Sequence, residues 1–417
     1  MDVAILKPFA AVRPRKDIAH KVAALPYDVM NSEEAREIVG DNEYSFLHVD
    51  KAEIDLDRNI NIYDKIVYEK ARNNLYEMIN KGVLAKDNKK CLYIYRLIMD
   101  GIEQTGIVGC ASIDDYLNNE IKKHEHTREE KEQDRINHVD ICDANTGPIF
   151  LTYKYNNEIN GIIKSWTEKE AIYDFLAEDN IRHMVWIIDD EHIICNICNI
   201  FKNIDSIYIA DGHHRSASAV KVGLKRRKEK PNYTGEEEFN FFLSVLFPHS
   251  DLRIMDYNRI VKDLNGLSTE EYMFRVSEKF NVNIYEGDEP YRPSCKHTYG
   301  MYLGGKWYEL TAKKGTYDPC NLVDRLDVSI LQNNLLKPIL GIEDPRTDNR
   351  VDFVGGIRGL KELELRVDNQ KNGAAFSMYP TDIEDLMLIA DAGEVMPPKS
   401  TWFEPKLRSG LFIHTLR

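Results

Sequence analysis

Five consecutive residues, Asp211-Gly212-His213-His214-Arg215, separate an apolar run, Ile207-Tyr208-Ile209-Ala210, from a stretch carrying Ala217, Ala219 and Val220. The β-branched and aromatic residues favour a strand. Asp-Gly breaks it, and the stretch beyond reads as a helix. In such a strand–turn–helix unit Gly212 lets the backbone approach a ligand closely, and Asp211 is placed to cap the helix. The first N–H groups of a helix lack partners and carry partial positive charge, which suits phosphate oxygens. Arg215 adds a planar bidentate donor. His213 and His214 add further donors, or one orients the other. A plain turn with a capping aspartate and two satisfied histidines is the simpler reading. Five chemically competent residues directly after an apolar strand favour an anion site, with a nucleotide phosphate as the expected ligand.

A second cluster is His124-Glu125-His126-Thr127. Thr127 with Glu130 fits a capping box, so a helix is expected to begin there. A carboxylate on the loop ahead of it, Glu125, can meet a substrate hydroxyl and take its proton as a general base. Arg128, Lys131 and Arg135 come next at i, i+3 and i+7, on one helix face, where all three can meet one anion. The run Glu129-Glu130-Lys131-Glu132 also suits a solvated face. Near the other end, Pro397-Pro398 holds the backbone extended ahead of Lys399, Ser400 and Thr401. These three either complete a phosphate site or belong to a strand docked by Trp402 and Phe403. His124, His126, Thr127, Arg128, Lys399, Ser400 and Thr401 are thus candidate substrate or phosphate contacts.

Other signals are weaker. His124, His126, His213 and His214 are metal-ligand types, with Glu125 or Asp211, but their spacing fixes no geometry, so no protein-held metal is expected. Cys195 and Cys198 form a lone C-x-x-C without the second pair of a zinc ribbon, which points to packing. There is no GxxxxGK[ST] or GxGxxG motif and no GxSxG elbow. Gly355-Gly356 is a weak candidate phosphate loop.

The elements that must position these residues are those of a mixed α/β protein. A chain of 417 residues implies two or three domains or one elaborated core. Regions 1–110, 111–250 and 251–417 are expected. A net charge of −14 argues against nucleic acid as partner, though not against a local basic pocket. No run of about 18 apolar residues occurs, so no membrane span is expected. The start has no basic n-region, and seven cysteines is an odd number, so a reducing cytoplasm is expected. Ser32 is the expected cap of a helix. Apolar spacing predicts another over 61–81, ended by Gly82. Asp100-Gly101 predicts a hairpin between Cys91–Met99 and Thr105–Ser112. Strands are expected at Ile149–Tyr155, Met184–Ile188, Ser206–Ala210 and Phe239–Phe247, and an exposed loop at Lys225–Gly235.

The segment from Ile209 to Ala217 resembles the phosphate-binding turn of the ParB/sulfiredoxin-like superfamily, in the form found in ParB-like free-serine kinases. Along its whole length the chain also resembles a bacterial and archaeal family known as domain of unknown function 1015. The residues carrying that likeness are Ala24-Leu25-Pro26-Tyr27-Asp28-Val29, Ser45-Phe46-Leu47-His48-Val49, His124-Glu125-His126-Thr127, the Asp211–Arg215 turn, and Met396 to Lys406. The resemblance implies a ParB/sulfiredoxin-like core with N- and C-terminal α/β elaborations. It implies ADP or ATP with Mg²⁺ on the Asp211–Arg215 turn, and Glu125 as counterpart of a catalytic glutamate. Phosphoryl transfer to free L-serine or a similar metabolite would follow. The chain is larger than those kinases and their serine-binding residues find no match, so the acceptor stays open. The rival reading is a nucleotide-binding regulator of ParB type without phosphotransfer. A sulfiredoxin-like reductase would need a cysteine beside the turn, which is absent. A homo-oligomer is compatible with either reading.

Overall fold

The computed structural model describes residues 4–369 and 373–417 and is mixed α/β. The chain divides into two compact units, Met1–Leu252 with Pro405–Arg417, and Arg253–Glu404. The boundary expected at 110 falls inside a strand of the first unit, because that strand lies in the interior of the unit's main sheet.

That sheet has nine strands. In chain order they are β1 (Leu6–Lys7), β2 (Leu92–Met99), β3 (Ile102–Ser112), β4 (Ile121–Lys122), β5 (Ile149–Tyr153), β6 (Tyr173–Leu176), β7 (Arg182–Ile188), β8 (Ile207–Asp211) and β9 (Phe241–Pro248). Their spatial order is β4-β8-β5-β9-β3-β2-β7-β6, with β1 also on β3. Pairs β4–β8 and β5–β9 are parallel, and the others are antiparallel. β9 reads FFLSVLFP and is buried at every position, as a central strand covered on both faces must be. The β2–β3 hairpin turns on Asp100 at φ 54° and Gly101 at φ 78°, the paired left-handed geometry that Asp-Gly favours.

Two helices matter for the site: α1 (Glu129–Cys142) and α2 (His213–Glu229). They are tied together where Ser218 Oγ donates to the Glu132 carbonyl at 3.0 Å and Lys225 Nζ pairs with Asp140 at 2.6 Å. The expected loop from Lys225 is therefore corrected. Lys225 to Glu229 is the last turn of α2, held by Arg226 on Asp140 and Arg227 on Asp114. The early helix spans Ser32–Val39, and its cap is Asn31 in a capping box with Glu34, one residue ahead of the expected Ser32. The 61–81 periodicity corresponds to a helix at Lys65–Asn80.

The last thirteen residues complete the first unit. The Ala24 N–H donates to the Ser409 carbonyl at 3.1 Å, Val12 to Ile413 at 2.9 Å, and His414 pairs with Asn145. Leu411, Phe412 and Ile413 are wholly buried and Leu407 nearly so. Each such side chain is worth about 1.5–3 kcal/mol of burial, and a domain's whole stability is about 5–15 kcal/mol. Removing residues 405–417 should abolish cooperative unfolding of the first unit and its near-ultraviolet circular dichroism.

The second unit is built on six antiparallel strands in the order Phe280–Ile284, Lys306–Ala312, Thr298–Leu303, Ala374–Ser377, Tyr257–Val261 and Val351–Gly355. A short ribbon pairs Arg253–Met255 with Trp402–Glu404. Gly355 and Gly356 pack closely: a Cβ on Gly355 would lie 2.6 Å from the Trp402 ring, and one on Gly356 2.4 Å from Asp256 Oδ1. Close packing accounts for both glycines.

Candidate functional site

Asp211 ends β8, and Gly212, at φ 95°, turns the chain into α2. A left-handed φ at this point costs about 1–2 kcal/mol for a residue with a Cβ. The expected cap is not made. Asp211 is the last strand residue, and Gly212 occupies the cap position without a side-chain hydrogen bond. Instead Asp211 Oδ1 accepts from the Gly212 N–H at 2.8 Å and Oδ2 meets Lys406 Nζ at 2.8 Å. Burial pushes the Asp211 carboxyl up, but Lys406 and Arg215 outweigh it and hold it well below the usual range. The aspartate is an anchored anion, and the first N–H groups of α2 are left without a capping side chain.

Arg215 lies in the first turn of α2. Its Nη1 donates to the Pro148 carbonyl at 2.8 Å, while its buried Nε has no hydrogen-bond partner among the described residues. A Cβ on Gly147 would lie 3.2 Å from Arg215 Nη1 and 2.9 Å from Ser409 Oγ, so only glycine fits beside the guanidinium. Arg215, Tyr27, Asp50, Arg135, His138 and Thr146 are among the residues lining one small cavity. In it Thr146 donates to Asp50 at 2.7 Å, and the Arg135 guanidinium stacks 3.9 Å from the centre of the Tyr27 ring. Tyr27 comes from the Ala24–Val29 motif, and Asp50 directly follows the Ser45–Val49 motif.

The His124–Thr127 loop lies against the same turn. Glu125 Oε2 is 3.9 Å from His213 Nδ1, and its side chain is 42% exposed while that of His213 is 5% exposed. The His124 and His213 rings meet edge to face at 4.5 Å. Burial pushes the His124 ring down to about 4 and that of His213 well below its ordinary value. His214 Nε2 accepts from the Arg128 N–H at 3.0 Å. Burial and then Lys131 keep that ring neutral, as an acceptor must be. One turn histidine thus faces the carboxylate and the other pins the loop that carries it.

Several expectations change here. The Thr127–Glu130 capping box does not form: α1 begins at Glu129 with Arg128 as its uncapped N-cap, and Thr127 Oγ1 donates to Glu132 Oε2 at 2.5 Å. Glu132 also pairs with Lys221 of α2, which explains why Thr127 turns to it. Arg128, Lys131 and Arg135 do not present one face to an anion. Arg128 and Lys131 are exposed, whereas Arg135 is buried against Asp134 and Tyr27. His126 is exposed. Lys399, Ser400 and Thr401 belong to the second unit. There the Lys399 carbonyl accepts from Arg259, Ser400 Oγ donates to the Pro397 carbonyl, and the Ser400 carbonyl accepts from Thr381. The residue of the closing motif that reaches the turn is Lys406. Sequence reasoning also passed over Tyr27 and Asp50 as site residues. Their only signal was a place in or directly beside motifs far along the chain from the turn.

Fold and motif together define a mixed α/β protein with a strand–glycine–helix turn faced by a histidine–glutamate loop. The chain belongs to the DUF1015 family, proteins of unknown function, whose family model matches residues 6–329. None of the curated proteins matches the sequence. Among solved structures the chain is similar to a free serine kinase variant in complex with AMP, at 15% identity and a TM-score of 0.36, covering 74% of this chain and 91% of that one. It is also similar to SbnI with a C-terminal truncation from Staphylococcus aureus, at 10% identity and a TM-score of 0.38, covering 73% and 86%. A conserved hypothetical protein from Pyrococcus furiosus matches at 15% identity and a TM-score of 0.34, covering 74% and 94%. Among the described residues no helix is long and apolar enough to cross a membrane.

Proposed function

We propose that the protein is a nucleotide-dependent small-molecule kinase that transfers a phosphoryl group from ADP or ATP to a metabolite hydroxyl, with free L-serine the first acceptor to test. The observation that carries this reading is the approach of the Glu125 carboxylate to within 3.9 Å of His213 in the first turn of α2. A general base beside a phosphate-binding turn is the pairing phosphoryl transfer needs. The resemblance of the turn to that of the ParB-like serine kinases supports the same assignment.

In this reading the N–H groups at the start of α2 and the Arg215 guanidinium bind the phosphates. Lys406 holds Asp211 as a fixed anion that orients the turn. Glu125 accepts the acceptor's hydroxyl proton as that oxygen bonds to phosphorus and the bond from phosphorus to the nucleotide's leaving oxygen breaks. Mg²⁺ ordinarily travels with nucleotide phosphates and takes oxygen ligands. His124 and His213 bring nitrogen donors beside Glu125 and Asp211 is paired with Lys406, a donor set that suits Mg²⁺ poorly. No step is assigned to it.

The test is incubation of the protein with L-serine, Mg²⁺ and either ADP or ATP, with phosphorus NMR to follow phosphoserine. Tight nucleotide binding with no transfer to serine or to a panel of hydroxyl metabolites would replace this reading by the regulatory one. A companion variant is Arg215→Ala. A hydrogen bond to a charged group is worth about 1.5–3 kcal/mol, so ADP affinity measured by calorimetry should fall about tenfold to a hundredfold. Unchanged affinity would remove Arg215 from the phosphate site.

A further inference from the structure

Burying a polar group without a partner is costly, and buried side-chain nitrogens are nearly always hydrogen-bonded. Beside the turn this rule is broken three times within two touching side chains. Among the described residues neither ring nitrogen of His124 nor Nε2 of His213 has a hydrogen-bond partner, and the two residues are 2% and 5% exposed. The Ile209 backbone faces the His124 ring and favours its protonated form, but burial outweighs it. The two rings meet at 4.5 Å with planes 88° apart, so neither serves the other as donor or acceptor. Three buried ring nitrogens without hydrogen bonds, beside a carboxylate, suit a ligand that accepts nitrogen lone pairs.

The third member is the Glu125 carboxylate. One donor atom from each of His124, Glu125 and His213 lies within 4.8 Å of the other two. Tetrahedral ligands at about 2.1 Å from an ion sit about 3.4 Å apart. The Glu125 Oε2 to His213 Nδ1 distance of 3.9 Å already lies near that spacing, and the half-exposed Glu125 side chain has room to move. Two imidazoles with one carboxylate is the donor set of catalytic zinc and non-haem iron sites, with the remaining positions open to solvent or substrate.

We propose that His124, Glu125 and His213 form a binding site for a single borderline divalent transition ion of the Zn²⁺, Fe²⁺ or Co²⁺ type. Nitrogen donors select such ions over Mg²⁺, which prefers oxygen. Glu125 supplies the charge and His124 and His213 the nitrogen ligands. The exposed side of Glu125 provides the entry path. The assignment does not depend on the kinase reading, since it concerns the protein's own donors in the absence of nucleotide.

The experiment uses the full chain stripped with a chelator, with no nucleotide present. Zn²⁺ and Co²⁺ are titrated separately, by calorimetry and by the visible ligand-field absorption of Co²⁺. The expected result is one equivalent of each ion per chain, a Co²⁺ spectrum of a nitrogen-ligated low-coordinate site, and no displacement by excess Mg²⁺. Loss of an orienting partner of a metal ligand costs about 10–100-fold in affinity, so His124→Ala and His213→Ala, which remove ligands, should each cost at least that. His126→Ala, at an exposed neighbouring position, should bind like the wild type. Should the buried histidine variants fail to fold, Glu125→Ala keeps the test open: it should weaken Co²⁺ binding and shift the Co²⁺ spectrum. Absence of stoichiometric binding by the wild type overturns the site. So does binding that survives in folded His124→Ala or His213→Ala, or a Co²⁺ spectrum unchanged by Glu125→Ala.

Discussion

Glu125→Gln should lower the phosphotransfer rate by about a hundredfold to ten-thousandfold, the usual contribution of a positioned general base, while ADP binds as tightly as before. The amide keeps the shape and partial exposure of the carboxylate but cannot take a proton. The measurement is a single-turnover rate beside a calorimetric titration, because steady-state constants mix binding with chemistry. A rate loss matched by an equal loss of ADP affinity would make Glu125 part of the nucleotide site and leave the base unidentified. An unchanged rate would remove it from the reaction.

Lys406→Met should destabilise the first unit by about 2 kcal/mol, below the roughly 3–5 kcal/mol of stranding a fully buried charge because Asp211 keeps some exposure. The Lys406 side chain is 13% exposed and that of Asp211 29%. Methionine preserves the aliphatic length and removes the charge, leaving Asp211 facing Arg215 and the neutral His213 alone. Adding Asp211→Asn should recover most of the loss, since the remaining pair is then uncharged. The pH dependence has a definite sign. Asp211 titrates below its unfolded value of about 3.9 in the wild type. The ion pair's contribution is therefore full above that value and lost as pH falls through the lower, folded one. The gap between wild type and Lys406→Met should be widest near neutrality and close as the solution becomes acidic. Urea denaturation at several pH values measures it. A gap independent of pH would mean that Lys406 acts through packing.

The local elements were legible because they depend on neighbours in the chain. Ile207 to Ala210 followed by Asp-Gly announces a strand and its end, and Asp100-Gly101 announces a hairpin. Helix starts were less secure. Ser32 and Thr127 both look like caps, yet Asn31 caps the first helix and Thr127 turns to Glu132. A hydroxyl goes to whichever partner the tertiary structure brings closest, and a Lys221 on another helix is not visible from position 127. The basic stretch from Lys225 read as a loop for the same reason. Its charges are paired with Asp140 and Asp114, more than eighty residues away in the chain.

By itself, the sequence determined the strand–glycine–helix turn, the chemistry its residues offer, the nearby carboxylate as a candidate base, and the mixed α/β class. These rest on backbone propensity and on the identity of adjacent side chains. Tertiary structure alone decided that Glu125 faces His213, that Lys406 reaches the turn, that Arg135 is buried against Tyr27, and that the buried His124 and His213 rings meet edge to face. Each of these is a meeting of segments far apart in the chain, fixed by sheet order and core packing. No local pattern of residues encodes such a meeting.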